Sequence, residues 1–194
     1  MTDYETNLDS YNWLADEVDK HETPQALALG KLILEKWGAK SCIDIGCSSG
    51  IYLVPFKEAG LDYYGIDGAS GVGKWCRPNF EVVDLRQSWT PPRQFDLAYC
   101  IEVLEHIAPE YADIVVETVC KCAPLSFISA AHPGQGGESH INENTFSYWQ
   151  AKFVANGFVF DQGLTDSLMN VIKVDPVYSY CHWLQWHSWV FRKA

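Results

Sequence analysis

The chain has 194 residues, of which 47% are hydrophobic, enough for one packed domain and too apolar for a disordered chain. Fourteen Lys and Arg face 25 Asp and Glu, a formal charge of −11. That balance argues against a nucleic-acid partner and against docking on anionic lipid, since both need a basic surface.

No run approaches the ~20 apolar residues that span a bilayer. The acidic start MTDYETNLDSYNW lacks the basic lead and apolar core of a secretory signal. Seven scattered cysteines, an odd number, read as reduced and mostly buried thiols of a cytoplasmic protein. Cys120 and Cys122 have no second pair to complete a zinc site. The chain reads as a single domain over 1–194, with no repeat and no low-complexity linker.

Residues 1–22 form a polar lead-in carrying Tyr4, Tyr11 and Trp13. Thr23-Pro24 predicts a helix start, with Thr as cap and Pro at the first helical position. That helix runs through QALALGKLILEKW and stops at Gly38. SCIDI, residues 41–45, is a short buried strand, and 46–50 are a turn of small residues. A helix follows over 51–59, stopped by Gly60. Strands at 63–66 and 80–83 end at Asp67 and Asp84, with one helical turn expected around Lys74-Trp75-Cys76 between them. The stretch 86–94 holds Pro91-Pro92 and reads as loop, and 95–101 is a fourth strand. Pro109 opens a helix with Ala112, Val115, Val116 and Val119 on one face. Residues 125–131 form a fifth strand, followed by the loop HPGQGGESHIN. Asn144 is placed to cap a helix through Phe153, ending near Gly157. Residues 158–160 form a sixth strand and HSWVFRKA a last one. The span 162–185 has no clear signal: a lid, a dimer face and extra core all fit it.

Strands alternating with helices predict an α/β domain: a Rossmann-like, doubly wound, mainly parallel sheet of about seven strands with the last strand antiparallel. Ligands of such sheets bind outside the carboxyl ends of the strands. The distinctive residues cluster at those ends: Asp44 to Gly50, Asp67, Asp84, Glu102 to His106, and His132. Small residues at Gly46, Ser48 and Gly50 let backbone approach a ligand. Asp44 suits a cation or hydrogen-bond donors. Asp67 is placed to accept two ribose hydroxyls. The Asp84 carboxylate and a backbone N–H at Leu85 suit an adenine edge.

CIDIGCSSG, YYGIDGA, EVVDL and FDLAYCIEVLEHI together resemble the successive motifs of the class I S-adenosylmethionine-dependent methyltransferases. The resemblance spans roughly residues 25–194 and is strongest over 41–107. Ser48 replaces the usual second glycine, and Gly68-Ala69-Ser70-Gly71 is looser than the family's helix start. The resemblance implies S-adenosylmethionine as cofactor. Gly46, Cys47, Ser48 and Gly50 would pass under its methionine part, with Asp44 near the amino group. Asp67, followed by Gly68, would hold the ribose, Asp84 and Leu85 the adenine, and Ile101 and Glu102 the sulfonium side. An aspartate two residues before the first glycine suits a cationic ligand and opposes a pyrophosphate, favouring the methyl donor over NAD.

The segment 46–50 also fits G-x-S-x-G, the nucleophile elbow of α/β-hydrolases, with Asp161 and His187 following. That fold needs strands before its elbow, and none precedes Ser41.

If the acceptor is a hydroxyl or ammonium, a general base assists. His106 is the first candidate, then His140 and His132, with Glu105 orienting His106 or acting itself. No metal is expected; His132, Glu138 and His140 are the one grouping that suggests it. Tyr4, Tyr11 and Trp13 are candidates for a lid. The expected partner is a small polar acceptor, on a monomer or homodimer. A catalytically silent binding domain and an NAD-dependent oxidoreductase are the competing readings.

Overall fold

Seven segments with β-branched or aromatic side chains at alternate positions pair into one sheet in the computed structural model, which describes residues 7–194. They are Ser41–Ile45 (β1), Asp62–Asp67 (β2), Phe80–Val82 (β3), Leu97–Ile101 (β4), Leu125–Ser129 (β5), Phe158–Phe160 (β6) and Ser188–Lys193 (β7). Their order is β3-β2-β1-β4-β5-β7-β6. β7 runs antiparallel to both neighbours, and the pairs β1–β2, β1–β4, β2–β3 and β4–β5 are parallel.

The two-residue period of the strands divides the interior into two cores. Ile43, Ile45, Ala98, Cys100 and Ile128 face one side, against helices Ala112–Cys122 (α3) and Phe146–Ala155 (α4). Cys42, Leu97, Tyr99 and Phe127 face the other. There they meet helices Asn12–Trp37 (α1), Val54–Glu58 (α2), Gln162–Ile172 (α5) and His182–Trp186 (α6). Asp44 takes an even-numbered position of β1, so its carboxyl lies on this second, otherwise apolar side.

Two local expectations are corrected. Pro24 lies inside α1 instead of opening it. The helix continues back to Asn12 because its first half is tied to the loop after β2. The Asp19 carboxylate accepts from Trp75 Nε1 at 2.8 Å and Lys74 Nζ at 3.1 Å, and Asn12 Oδ1 accepts from Gly71 N at 2.9 Å. Tertiary bonds override the proline signal. Thr145, one residue on from the expected Asn144, caps α4 by accepting from Tyr148 N. Asn144 instead donates its amide to Asn142 Oδ1 at 2.6 Å.

The unassigned span 162–185 is core cover. Asp161 caps α5, accepting from Leu164 N at 2.9 Å, and Leu168, Ile172, Tyr178 and Leu184 are buried on the second side. No described helix is long and apolar enough to cross a membrane.

Candidate active site

The strand order reverses direction between β1 and β4, the neighbours that open a crevice at their carboxyl ends. Two cavities there, of about 240 and 420 Å³, share Tyr11, Gly46, Ser48, Glu102 and His106 in their walls and form one continuous crevice. Asp67, Asp84 and Leu85 line the smaller part, and Asp44, Cys47 and Ile101 the larger. The three aspartates of the sequence analysis therefore converge on one opening.

The turn after β1 is built for close approach. Gly46 has φ +72°, and an added Cβ would stand 2.5 Å from a Val103 methyl, so the β1 and β4 loops touch only because this residue is glycine. Ser48, where the resemblance expects glycine, sits at φ +46°. Its left-handed backbone accounts for the family's preference. The turn is pinned by Ser48 N donating to Asp67 Oδ2 at 2.9 Å and by Gly73 N donating to Ser48 O at 2.8 Å. Gly50 closes it, also with positive φ.

Asp44 is buried, and that burial, with the nearby Asp67 charge, pushes its carboxyl up to about 7. Glu22, from α1, lines the same cavity and is also pushed up to about 7 by burial, despite accepting from Tyr52 Oη at 2.8 Å. The wall of the larger cavity carries Glu22, Asp44, Glu102 and Glu138 and no lysine or arginine among the described residues. Such a site suits a ligand bearing positive charge and repels a pyrophosphate.

Asp67 accepts from Ser48 N and from Ala69 N, each at 2.9 Å; burial still raises its carboxyl. The Gly68 backbone N–H also reaches the carboxylate, which with about four lone-pair sites keeps acceptor capacity for a ribose hydroxyl. Gly68 lines the crevice beside it. Asp84 is gripped by Arg86, whose Nε and Nη2 each donate at 2.8 Å, and this bidentate pair holds the carboxyl below its usual range. An adenine amine at Asp84 would thus share the carboxylate with Arg86. Leu85 contributes a buried apolar wall.

Beyond β4, Glu102 stands at φ +52°, a strained position for a side chain of its size. Its N–H is held by Ser129, and its Oε2 accepts from Gln135 Nε2 at 3.2 Å. Glu105 is fully buried, its carboxyl against the Glu102 side chain and the Ala131 backbone. Burial and the adjacent Glu102 push it well up. His106 lines both parts of the crevice, with Tyr11 and His140 edge-on to its ring at 5.6 and 4.9 Å. Burial, with His140 nearby, pushes His106 down to about 4. His140 lines the larger part, its Nδ1 3.1 Å from Glu143 Oε1. His132 lies elsewhere: it is exposed, stacks on His187 and lines neither cavity.

Tyr11 and Trp13 lie in the crevice wall, while Tyr4 is outside the described residues. The hydrolase alternative has no geometry behind it. Ser48 Oγ has no partner, Asp161 caps α5 and pairs with Arg192 at 2.7 Å, and His187 stacks on His132. Sequence reasoning missed Glu22, Tyr52, Arg86, Ser139 and Glu143. Arg86, two residues past a singled-out aspartate, was legible in principle. Glu22 carried no local signal, because only the packing of α1 brings it to the crevice.

Comparison with known proteins agrees with this geometry. A family model described as a methyltransferase domain matches residues 18–124. The ubiquinone biosynthesis O-methyltransferase of Methylococcus capsulatus (strain ATCC 33009 / NCIMB 11132 / Bath) is 31% identical over 86 residues, 39% of this chain and 36% of that one. The chain thus matches about a third of the length of this curated relative. Magnesium protoporphyrin IX methyltransferase from Synechocystis PCC 6803, solved with bound SAH, superposes with a TM-score of 0.64 at 14% identity, covering 99% of this chain and 97% of that one. The sugar N-methyltransferase from Streptoalloteichus sp ATCC 53650 gives a TM-score of 0.64 at 12% identity over 89% of this chain and 87% of that one. The chain belongs to the methyltransferase-domain family, the class I enzymes that use S-adenosylmethionine.

Proposed function

We propose that the protein transfers the methyl group of S-adenosylmethionine to a hydroxyl or amine of a small polar molecule. One observation carries the reading: a crevice at the β1–β4 switch point walled by buried carboxylates and lacking a lysine or arginine in its larger part, which calls for a cationic ligand. The cofactor supplies an electrophilic methyl carbon, which passes to the acceptor as the carbon–sulfur bond breaks and sulfur keeps the electron pair.

The chain's own residues supply position and charge. Asp44, with Glu22 across the cavity, holds the ammonium end. Asp67 takes the ribose hydroxyls with its remaining lone pairs. Leu85 and the Asp84–Arg86 pair frame the base. Gly46 to Gly50 lie beneath the methionine chain, with Ile101 and Glu102 on the sulfur side. The acceptor is placed on the wall formed by His106, Ser139 and His140, opposite the leaving sulfur, so that orientation provides much of the rate. Tyr11 and Trp13 cover this region and limit water.

Two names among the similar proteins, an O-methyltransferase of ubiquinone biosynthesis and a sugar N-methyltransferase, fit a hydroxyl- or amine-bearing acceptor. Calorimetric titration with S-adenosylmethionine, S-adenosylhomocysteine and NAD tests the reading, followed by methyl transfer from labelled cofactor into a pooled metabolite extract. Saturable binding of the first two and a labelled small-molecule product are expected. Preference for NAD, or binding without any transfer, overturns it.

A further inference from the structure

Glu105, His106 and His140 each offer one ligand atom, and these three atoms lie within 4.8 Å of one another. A chance meeting of surface groups does not explain them. Glu105 is fully buried, and the side chain its carboxyl meets is another acid, Glu102. An ionised carboxylate so placed is costly unless a cation compensates it, and no lysine or arginine stands in the larger cavity's wall to do so. Glu102, whose carboxyl also accepts from Gln135, therefore stands as a second buried acid against Glu105.

The two imidazoles are already oriented as metal ligands are. His106 Nδ1 lies 3.3 Å from the Ser139 carbonyl oxygen and 3.0 Å from Ser139 Oγ; the carbonyl only accepts, so this nitrogen carries the proton. His140 Nδ1 lies 3.1 Å from the Glu143 carboxylate and donates to it. In both rings Nε2 is left as the bare nitrogen. A ring N–H held by a carbonyl or carboxylate, with the other nitrogen free, is the usual outer support of a metal-bound histidine. Glu143 is fixed in turn by Gly134 N at 2.8 Å and Gly136 N at 2.6 Å. The His140 ring also rests on Gly137, where an added Cβ would come 2.4 Å from Nε2. The loop after β5 is folded around this one imidazole.

We propose that Glu105, His106 and His140, with Glu102 beside them, bind a first-row divalent transition-metal ion that holds an oxygen of the methyl acceptor. Mixed carboxylate and imidazole donors suit Mn²⁺, Fe²⁺, Co²⁺ or Zn²⁺ better than Mg²⁺ or Ca²⁺. His106, His140 and Glu102 all line the crevice, so an ion there faces the cavity where the acceptor is placed. A hydroxyl bound to such an ion gives up its proton more readily than in water, the proton leaving to solvent in the crevice. The acceptor's role rests on the methyl-transfer reading; the ion's binding does not.

The test uses the full chain stripped with a chelator and titrated calorimetrically with MnCl₂ or ZnCl₂ alone. One ion per chain is expected, with affinity falling at least about tenfold in Glu105→Gln and in His140→Asn. S-adenosylhomocysteine binding by the same variants reports folding. If Glu105→Gln loses that binding, His140→Asn, on the accessible loop, decides. Unchanged metal affinity in a folded variant, no stoichiometric uptake by the wild type, or loss of uptake in His132→Ala instead overturns the proposal. Wild-type protein that takes up metal but no S-adenosylhomocysteine would defeat the methyl-transfer reading and leave the metal site standing.

Discussion

Asp44 links the fold to the ligand through a measurable proton. With the free carboxyl at about 7, it is about nine-tenths ionised near pH 8 and about one-tenth ionised near pH 6. A cation bound against it favours the ionised form and draws the value down. Affinity for S-adenosylmethionine then follows the ionised fraction, and Kd rises roughly tenfold from pH 8 to pH 6. Glu22, also at about 7 and on the same cavity, adds up to another factor of about ten. Asp44→Asn keeps the shape and removes the charge, so it deletes one of these factors. At pH 8 the same substitution removes a charge-assisted contact of about 1.5–3 kcal/mol and weakens binding roughly 10–150-fold.

Calorimetry between about pH 5.5 and 8, repeated in buffers of different ionisation enthalpy, reads both quantities. The Asp44 slope is read below about pH 7.5, because the ligand's own amino group loses its proton near pH 8. At pH 7 the Asp44 contribution is about half a proton released per ligand bound. If Asp44 serves the ammonium, S-adenosylhomocysteine shows the same slope. If it serves the sulfonium, only S-adenosylmethionine does. A slope unchanged in Asp44→Asn, or binding without proton release, would refute the reasoning.

The ligand-free protein carries the opposite signature. Raised carboxyls bind more protons folded than unfolded, so the stability that protonated Asp44 and Glu22 contribute is full below about pH 4 and is lost progressively as pH rises to about 7. Chemical denaturation of the ligand-free chain should show stability falling from about pH 4.5 to 7 and levelling off above that, less steeply in Asp44→Asn. Gly46→Ala drives a methyl against Val103 at a left-handed backbone position; we expect a loss of about 1–3 kcal/mol in denaturation and a larger relative loss of cofactor affinity. His106→Ala should lower methyl transfer by about 10²-fold or more while leaving cofactor Kd within about threefold. Equal loss of both removes His106 from the acceptor side. His132→Ala, at an exposed residue outside the crevice, should leave turnover and cofactor affinity unchanged.

What the sequence made legible was whatever a local period or turn dictates. The strands β1 to β6 follow from alternating apolar runs, and their carboxyl ends follow from the small or acidic residues that interrupt them. Asp44, Asp67 and Asp84 were visible for that reason. The first half of α1 was not, because Pro24 is a local stop signal and the bonds overruling it come from residues about 55 to 60 positions away in sequence. Glu22 was hidden with it. The span 162–185 was opaque because its helices are short and its aromatic residues are buried from several directions. His132 and His140 illustrate the limit within one loop. They were equivalent as letters, and only the turn from Gly134 to Gly137 sends one into the crevice and leaves the other on the surface.

The costs built into this molecule fall in one place. Ser48 and Glu102 hold left-handed backbone without being glycine, and Asp44, Glu22, Glu102 and Glu105 are carboxylates withdrawn from water. Each is unfavourable alone, and the residues of the two apolar cores include no such carboxylate or left-handed side-chain position, only single buried polar atoms such as Tyr99 Oη and Trp149 Nε1. Strain and buried charge concentrated at one crevice persist only where the rest of the fold can carry them, and they are relieved when a complementary ligand arrives. A cationic cofactor answers Asp44 and Glu22; a divalent ion answers Glu102 and Glu105. Glu22, Asp44 and Glu102 share one cavity, with Glu105 against Glu102 and His106 in the same wall, so the stretch beside His106 is where a methyl group and its acceptor would meet.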